Sequence, residues 1–231
     1  MSQLALPLQL LDHAVFESFY EPGNEALLAT LRSIADGQEN HGCWVWGAPA
    51  SGKSHLLQAL CESAGDRSIY VPLGIFSSAG TAILDGLSSR EIVCIDDLDE
   101  VAGEPAWESA LFELCNQILD AGAQLVVAAA TSPRASHFEL ADLKSRLTKL
   151  PVFQVHTLAE EERASALQLR ARHRGLELPD ETAQYLLRRS RRDMASLYAL
   201  LDTLDKEALR AKRRLTIPFV GSVIANDSGH S

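Results

Sequence analysis

The loop Gly47-Ala48-Pro49-Ala50-Ser51-Gly52-Lys53-Ser54 constrains this chain more than any other stretch, because it joins the apolar run Cys43-Trp44-Val45-Trp46 to a run with helical apolar spacing, His55-Leu56-Leu57-Gln58-Ala59-Leu60. A strand passing through a glycine-bounded turn into a helix points successive backbone N–H groups inward, where they and the helix N-terminus surround phosphate oxygens. Gly47 and Gly52 permit the bends, Lys53 reaches toward terminal phosphates, and Ser54 offers its hydroxyl to Mg²⁺. The spacing is that of a complete phosphate loop. It predicts a bound nucleoside triphosphate or diphosphate, with Gly47 through Ser54 and the adjoining His55 as the candidate binding residues, and it leaves hydrolysis undecided.

A phosphate loop needs a parallel sheet to carry it, and the flanking sequence supplies one. Strand-like runs at 43–46, 68–71, 91–95, 124–130 and 153–156 alternate with helical patterns at 54–63, 81–87 and 105–121, the signature of an α/β fold with helices on both faces of a parallel sheet. Ligands of such sheets lie at the carboxyl ends of the strands. After Thr157 the pattern is helical throughout. One helix runs from Glu160 to Arg174 and ends at Gly175; another starts at Pro179-Asp180 with Asp180 as N-cap; a third covers 193–213; a fourth opens at Thr216-Ile217-Pro218 with Thr216 as N-cap. The expected organisation is an N-terminal peptide and linker over 1–20, a nucleotide-binding domain over 21–157, a small all-helical domain over 158–225, and a disordered tail over 226–231.

Charge divides along the same boundary. The net charge is −10, but residues 1–158 hold 20 acidic and 8 basic side chains while residues 159–214 hold 10 and 13. The acidic majority argues against a general nucleic-acid-binding surface on the first part, and the Arg-rich helices of the second read first as a solvated face. No apolar run reaches membrane-spanning length and no signal segment opens the chain, so the expectation is a cytoplasmic protein without a membrane partner. Cys43, Cys61, Cys94 and Cys115 are widely spaced and read as reduced core residues.

Beyond the loop, Glu91-Ile92-Val93-Cys94-Ile95-Asp96-Asp97 is an apolar strand ending in two carboxylates. Asp96 is the candidate Mg²⁺ residue, acting through the ion's water shell, and Asp97 stands nearest an attacking water. An Asp there is one methylene shorter than a Glu, so intrinsic hydrolysis is expected to be weak at most. The strand over 124–130 ends at Thr131-Ser132, placing a hydroxyl between the loop and the Asp96 strand; Thr131 either senses a terminal phosphate or begins the turn before Pro133.

The order of these features, continued by Leu143-Lys144-Ser145-Arg146 and by Ser190-Arg191-Arg192-Asp193-Met194, resembles the AAA+ ATPases and, within them, the DnaA-related proteins. The closer likeness, to regulatory inactivators of DnaA, rests on Trp107-Glu108-Ser109-Ala110-Leu111-Phe112-Glu113-Leu114-Cys115-Asn116, on Arg214-Leu215-Thr216-Ile217-Pro218-Phe219-Val220 and on Gln3-Leu4-Ala5-Leu6-Pro7-Leu8. It implies an AAA+ domain with a helical lid and, after Ser231, no double-strand DNA-binding domain. Arg146 then corresponds to an arginine finger acting in trans, and Arg192 to the second sensor that contacts the chain's own nucleotide. Gln3, Leu4, Leu6, Pro7 and Leu8 correspond to the peptide that binds the β sliding clamp of DNA polymerase. Read physically, Gln3 hydrogen-bonds at a pocket rim while the leucines anchor and Pro7 limits the free peptide's entropy.

The resemblance implies a negative regulator of replication initiation: bound to ADP (or ATP) and Mg²⁺, tethered to the DNA-loaded clamp, it stimulates hydrolysis of ATP on DnaA. DNA would be met mainly through the clamp, which would associate the protein with the nucleoid, and homo-oligomerisation is left open. The rival readings are a self-sufficient AAA+ ATPase such as a helicase loader, and a clamp adaptor with a purely structural nucleotide.

Overall fold

A computed structural model describes residues 14–39, 41–189, 194–211 and 213–227. The chain divides into two compact units: Asn24–Ala48 and Gly52–Val155 with the described residues up to Phe16, and Glu17–Gly23 and Pro49–Ser51 with the chain from His156 onward.

In the first unit, helix α1 (Glu25–Ala35) leads into β1 (Cys43–Trp46), α2 (Lys53–Ala64), β2 (Ser68–Pro72), a single turn α3 (Leu73–Phe76), β3 (Ile92–Asp96), α4 (Pro105–Ala121), β4 (Gln124–Ala129), α5 (Ala141–Leu147) and β5 (Val152–Gln154). The five strands are all parallel in the order β2-β3-β4-β1-β5. Register pairs Trp46 with Ala129 and Ile95 with Val127, so the central strands β1, β3 and β4 end side by side.

Period-2 alternation assigns the two faces. Trp44, Val93, Ile95, Val127 and Ala129 join Trp107, Leu111, Leu114, Leu143 and Leu147 in one buried cluster, which seats α4 and α5. Alternate residues of β3, Cys94 and Asp96, face the side covered by α1 and α2, where Leu28, Leu31, Ile34, Leu56, Leu57 and Leu60 are fully buried. All four cysteines are free thiols, and Cys43, Cys61 and Cys94 are buried. Burial pushes the Cys43 thiol up to about 12, so it behaves as a small core residue.

Three segments depart from the expected pattern. The stretch read as helix over 81–87 forms two short 3₁₀ turns, Thr81–Leu84 and Leu87–Ser89, separated by Gly86 at φ 74°. That left-handed residue cannot continue a right-handed helix. The segments that became α1 and α5 carried no helix assignment: α5 has only Leu143 and Leu147 buried in its seven residues, too few positions to establish a 3.6-residue period.

The second unit contains α6 (Glu162–His173), α7 (Asp180–Arg189), α8 (Met194–Ala211) and α9 (Ile217–Asp227). Leu167, Leu186, Leu197, Leu201, Leu204, Phe219 and Val220 make its core. Asp180 is the first helical residue and not the N-cap, because the N–H groups of Thr182 and Ala183 both donate to the Pro179 carbonyl. Thr216 immediately precedes α9 and its carbonyl accepts from Val220 N–H, with Pro218 in the first turn, where its missing N–H costs nothing. Asn226 and Asp227 extend α9 into the stretch expected to be tail. Arg170 is buried with its guanidinium carbon 4.3 Å from the Tyr198 ring centroid, and Arg174 pairs with Asp202.

Candidate functional site

The loop between β1 and α2 has the backbone its sequence demands. Ala50 at φ 60° and Gly52 at φ 101° reverse the chain, and α2 opens at Lys53 with no side-chain cap at its N-terminus. The N–H groups of Lys53 and Ser54 are therefore first-turn helix donors, and Leu56 N–H donates to the Gly52 carbonyl. The Ser51 hydroxyl is buried with no hydrogen-bond partner among the described residues. Lys53 is nearly buried, with Nζ donating to the Gly47 and Ala48 carbonyls at 2.9 and 3.1 Å. First-turn helix donors and one buried ammonium match a polyphosphate.

The His55 side chain serves a different purpose. Its Nε2 lies 3.0 Å from the Val15 carbonyl oxygen, fastening the segment before α1 onto α2, so the imidazole is engaged away from the loop.

The adjacent strand ends supply the remaining groups. Asp96 is 1% exposed, and both its oxygens are occupied: Oδ2 accepts from the Tyr70 hydroxyl at 2.7 Å, and Oδ1 from Asp97 N–H at 3.0 Å. The Tyr70 hydroxyl in turn accepts from Gln58 Nε2 at 3.2 Å. Burial and the Asp96 charge raise the Tyr70 phenol far above its ordinary range, so it remains a donor throughout. Asp97 sits in the left-handed region at φ 53°, which Asp tolerates better than most residues. Burial first, then the charges of Asp96 and Asp99, push its carboxyl up to about 6 against the pull of Lys53.

Asp99 Oδ1 accepts from Ala130 N–H at 2.9 Å, and Trp44 Nε1 donates to the Thr131 carbonyl at 2.9 Å. These two bonds fix the end of β4, and with it Thr131, between the loop and the Asp96 strand. Among the described residues no group of three or more His, Cys, Asp or Glu could hold a metal ion by itself. A cation held by one carboxylate, the Ser54 hydroxyl, phosphates and water is compatible with these residues.

Arg146 lies apart, in the last turn of α5. Its guanidinium carbon is 5.9 Å from the centroid of the Phe112 ring on α4, and among the described residues it makes no ion pair. Arg192 and the peptide residues Gln3, Leu4, Leu6, Pro7 and Leu8 lie outside the described residues.

Comparisons with known proteins agree with this architecture. Residues 160–224 match the family model described as Hda, lid domain, and residues 43–135 match one described as RNA helicase. An uncharacterized protein of Haemophilus influenzae is 42% identical over 226 residues, covering 96% of this chain and 98% of that protein. The chain belongs to the Hda-like, DnaA-related AAA+ proteins. Domain III of the Thermotoga maritima replication initiation protein DnaA shares the fold with a TM-score of 0.74 at 21% identity, covering 92% of this chain and 96% of that one. AMPPCP-bound DnaA from Aquifex aeolicus does so with a TM-score of 0.65 at 19% identity, covering 80% and 62%.

Residues 160–224 thus make an Hda-type lid domain, and the chain shares the fold of DnaA domain III. No helix among its described residues is long and apolar enough to cross a membrane. Around the site of this Hda-like protein, sequence reading passed over Gln58, Tyr70 and Asp99, which orient the strand ends, as well as the packing role of Phe112. Each sits inside an ordinary helix, strand or turn, with nothing in its spacing to mark it.

Proposed function

We propose that this Hda-like protein represses replication initiation by supplying Arg146 in trans to ATP bound on DnaA. In this reading it carries ADP and Mg²⁺ in its own phosphate loop and is tethered to the DNA-loaded sliding clamp through residues 3–8. The observation that carries the proposal is the situation of Arg146. It is only partly exposed, rests over the Phe112 ring and has no acidic partner among the described residues. A guanidinium without a carboxylate can meet a neighbour's phosphate without first breaking an ion pair.

The chain's own site supports a switch more than a rapid hydrolase. Bound nucleotide supplies a polyphosphate and its charge; Lys53, Ser54 and the loop N–H groups would hold it, with Asp96 orienting Mg²⁺ through water. Asp97 is one methylene shorter than a Glu would be, and its carboxylate lies against Gly74. The AMPPCP-bound DnaA of similar fold supports a nucleotide in this loop. Clamp attachment would raise the local concentration of the protein at newly made DNA without any further contact to DnaA.

The test is a reconstitution with labelled ATP on DnaA, DNA-loaded clamp, and this protein with ADP. Arg146→Ala is expected to remove stimulated hydrolysis, a loss approaching the roughly 10³–10⁵ that a finger in trans supplies. Full stimulation by the Arg146→Ala protein would defeat the proposal. Gln3→Ala with Leu6→Ala should abolish clamp pull-down and leave nucleotide-dependent thermal stabilisation unchanged.

A further inference from the structure

We propose that Glu108, a buried carboxylate on α4, is a positioning residue for Arg146. The inference rests on the reading of Arg146 as a finger acting on a neighbour's nucleotide. Helix α5, which carries Arg146, has seven residues and an apolar residue, Leu140, at its N-cap position. A helix so short is not stable by itself, and Leu140 has no side-chain oxygen to hold the helix start.

Glu108 supplies that function from another element. It is 2% exposed and accepts from Leu140 N–H at 2.6 Å, from Glu139 N–H at 3.0 Å to each oxygen, and from Gly103 N–H at 2.7 Å. Burial pushes its carboxyl up, but the bonds from Leu140, Glu139 and Gly103 and the Lys144 charge outweigh that and hold it below the ordinary glutamate value. The contact to Leu140 N–H reproduces, across two elements, the reach-back of a capping-box glutamate to its N-cap N–H. Lys144 adds a second tie, its Nζ donating to the Ser136 carbonyl at 3.1 Å.

The other end of α5 is aligned by the same rod. Phe112 stands four residues after Glu108, one turn along the same face of α4, and it is the ring beneath the Arg146 guanidinium. Leu143 and Leu147, both buried, fix the rotation of α5, while Glu108 fixes where it begins. Arg146 is thus held at both ends of α5 by α4. A neutral Glu108 would release Glu139 and Leu140 and let the guanidinium drift from its aim, and a misplacement of about 1 Å can cost on the order of 10²-fold in rate.

The experiment compares the wild-type protein, Glu108→Gln, Arg146→Ala and the double variant in the clamp-loaded assay of DnaA-bound ATP. Nucleotide affinity and thermal stability are measured in parallel. Glu108→Gln should lower the maximal stimulated rate by about 10- to 100-fold, with the half-saturating protein concentration and ADP affinity unchanged. The double variant should lose no more than Arg146→Ala alone, because the two act through one guanidinium. A Glu108→Gln protein with full maximal rate overturns the inference while leaving Arg146 as finger; so does an additive loss in the double variant. If Arg146→Ala itself has no effect, the underlying reading fails first. Should Glu108→Gln lose ADP binding through misfolding, Glu108→Asp decides, since it keeps the charge one methylene short: a folded, ADP-binding protein with a reduced maximal rate supports the inference, and an undiminished rate overturns it.

Discussion

The Tyr70 hydroxyl donates to Asp96 Oδ2 at 2.7 Å, so β2 holds the buried acid of β3 in one orientation. Gln58 completes the relay from α2. The pairing turns one oxygen of Asp96 toward β2 and makes the orientation of the carboxylate depend on a neighbouring strand. A buried carboxylate that loses its donor keeps its desolvation cost. Tyr70→Phe removes the hydroxyl with little change in volume, and both Gln58 and Asp96 lose a partner. The expected loss is about 1–3 kcal/mol in denaturant-induced unfolding, together with a weaker dependence of nucleotide affinity on Mg²⁺.

Glu108 should give its contribution a distinctive pH profile. Its folded-state pKa lies below the ordinary 4.5, so the folded protein binds the proton less readily than the unfolded chain. The stabilisation is fully present above pH 4.5 and is lost as pH falls through the depressed folded value. Glu108→Gln should therefore be less stable than the parent near neutrality, by about 1.5–3 kcal/mol for charge-assisted bonds lost. Urea titrations repeated from pH 7 down to pH 4 should show that difference shrinking.

The sheet and the strand ends were readable because their signals are local and redundant. An apolar run followed by a complete phosphate loop fixes β1 and α2, and Pro105 with Gly122 brackets α4 at the residues where it begins and ends. The loop, Asp96, Asp97 and Thr131 then converge because β3, β4 and β1 are neighbours in a parallel sheet. What escaped sequence reading is what depends on contacts between elements. Glu108 looks like one more acid in an amphipathic helix, yet it is buried against a segment 31 and 32 residues away in sequence. His55 follows the loop directly, but its ring faces Val15. The helical reading of 81–87 failed because one glycine outweighed several apolar positions.

Gly74 is a close-approach glycine, and its substitution isolates the placement of Asp97. A Cβ there would lie 2.6 Å from Asp97 Oδ2 and 3.3 Å from its Cγ, inside van der Waals contact. The carboxylate must move or α3 must shift. Gly74→Ala is expected to destabilise the protein by about 1–3 kcal/mol, the range for overpacking, and to lower the pKa of Asp97 if the carboxylate escapes toward solvent. A melting temperature equal to the parent's would show that no such crowding exists.

Asp97 offers a proton-linked measurement of the nucleotide site. Its folded pKa, about 6, exceeds the ordinary 3.8, so protonation favours the folded state. This contribution is present below pH 3.8 and is lost as pH rises through about 6. Asp97→Asn cannot ionise and tolerates the left-handed backbone. It should be more stable than the parent at pH 7.5, by about 1–2 kcal/mol after solvent screening, with the gain shrinking toward pH 4. A cation bound beside Asp96 would favour the ionised form of Asp97. Mg²⁺-nucleotide binding at pH 6 should therefore release a fraction of a proton, visible as a dependence of calorimetric enthalpy on the ionisation heat of the buffer. Asp97→Asn should abolish that dependence, and a buffer-independent enthalpy in the parent would place the cation too far from Asp97 to influence it.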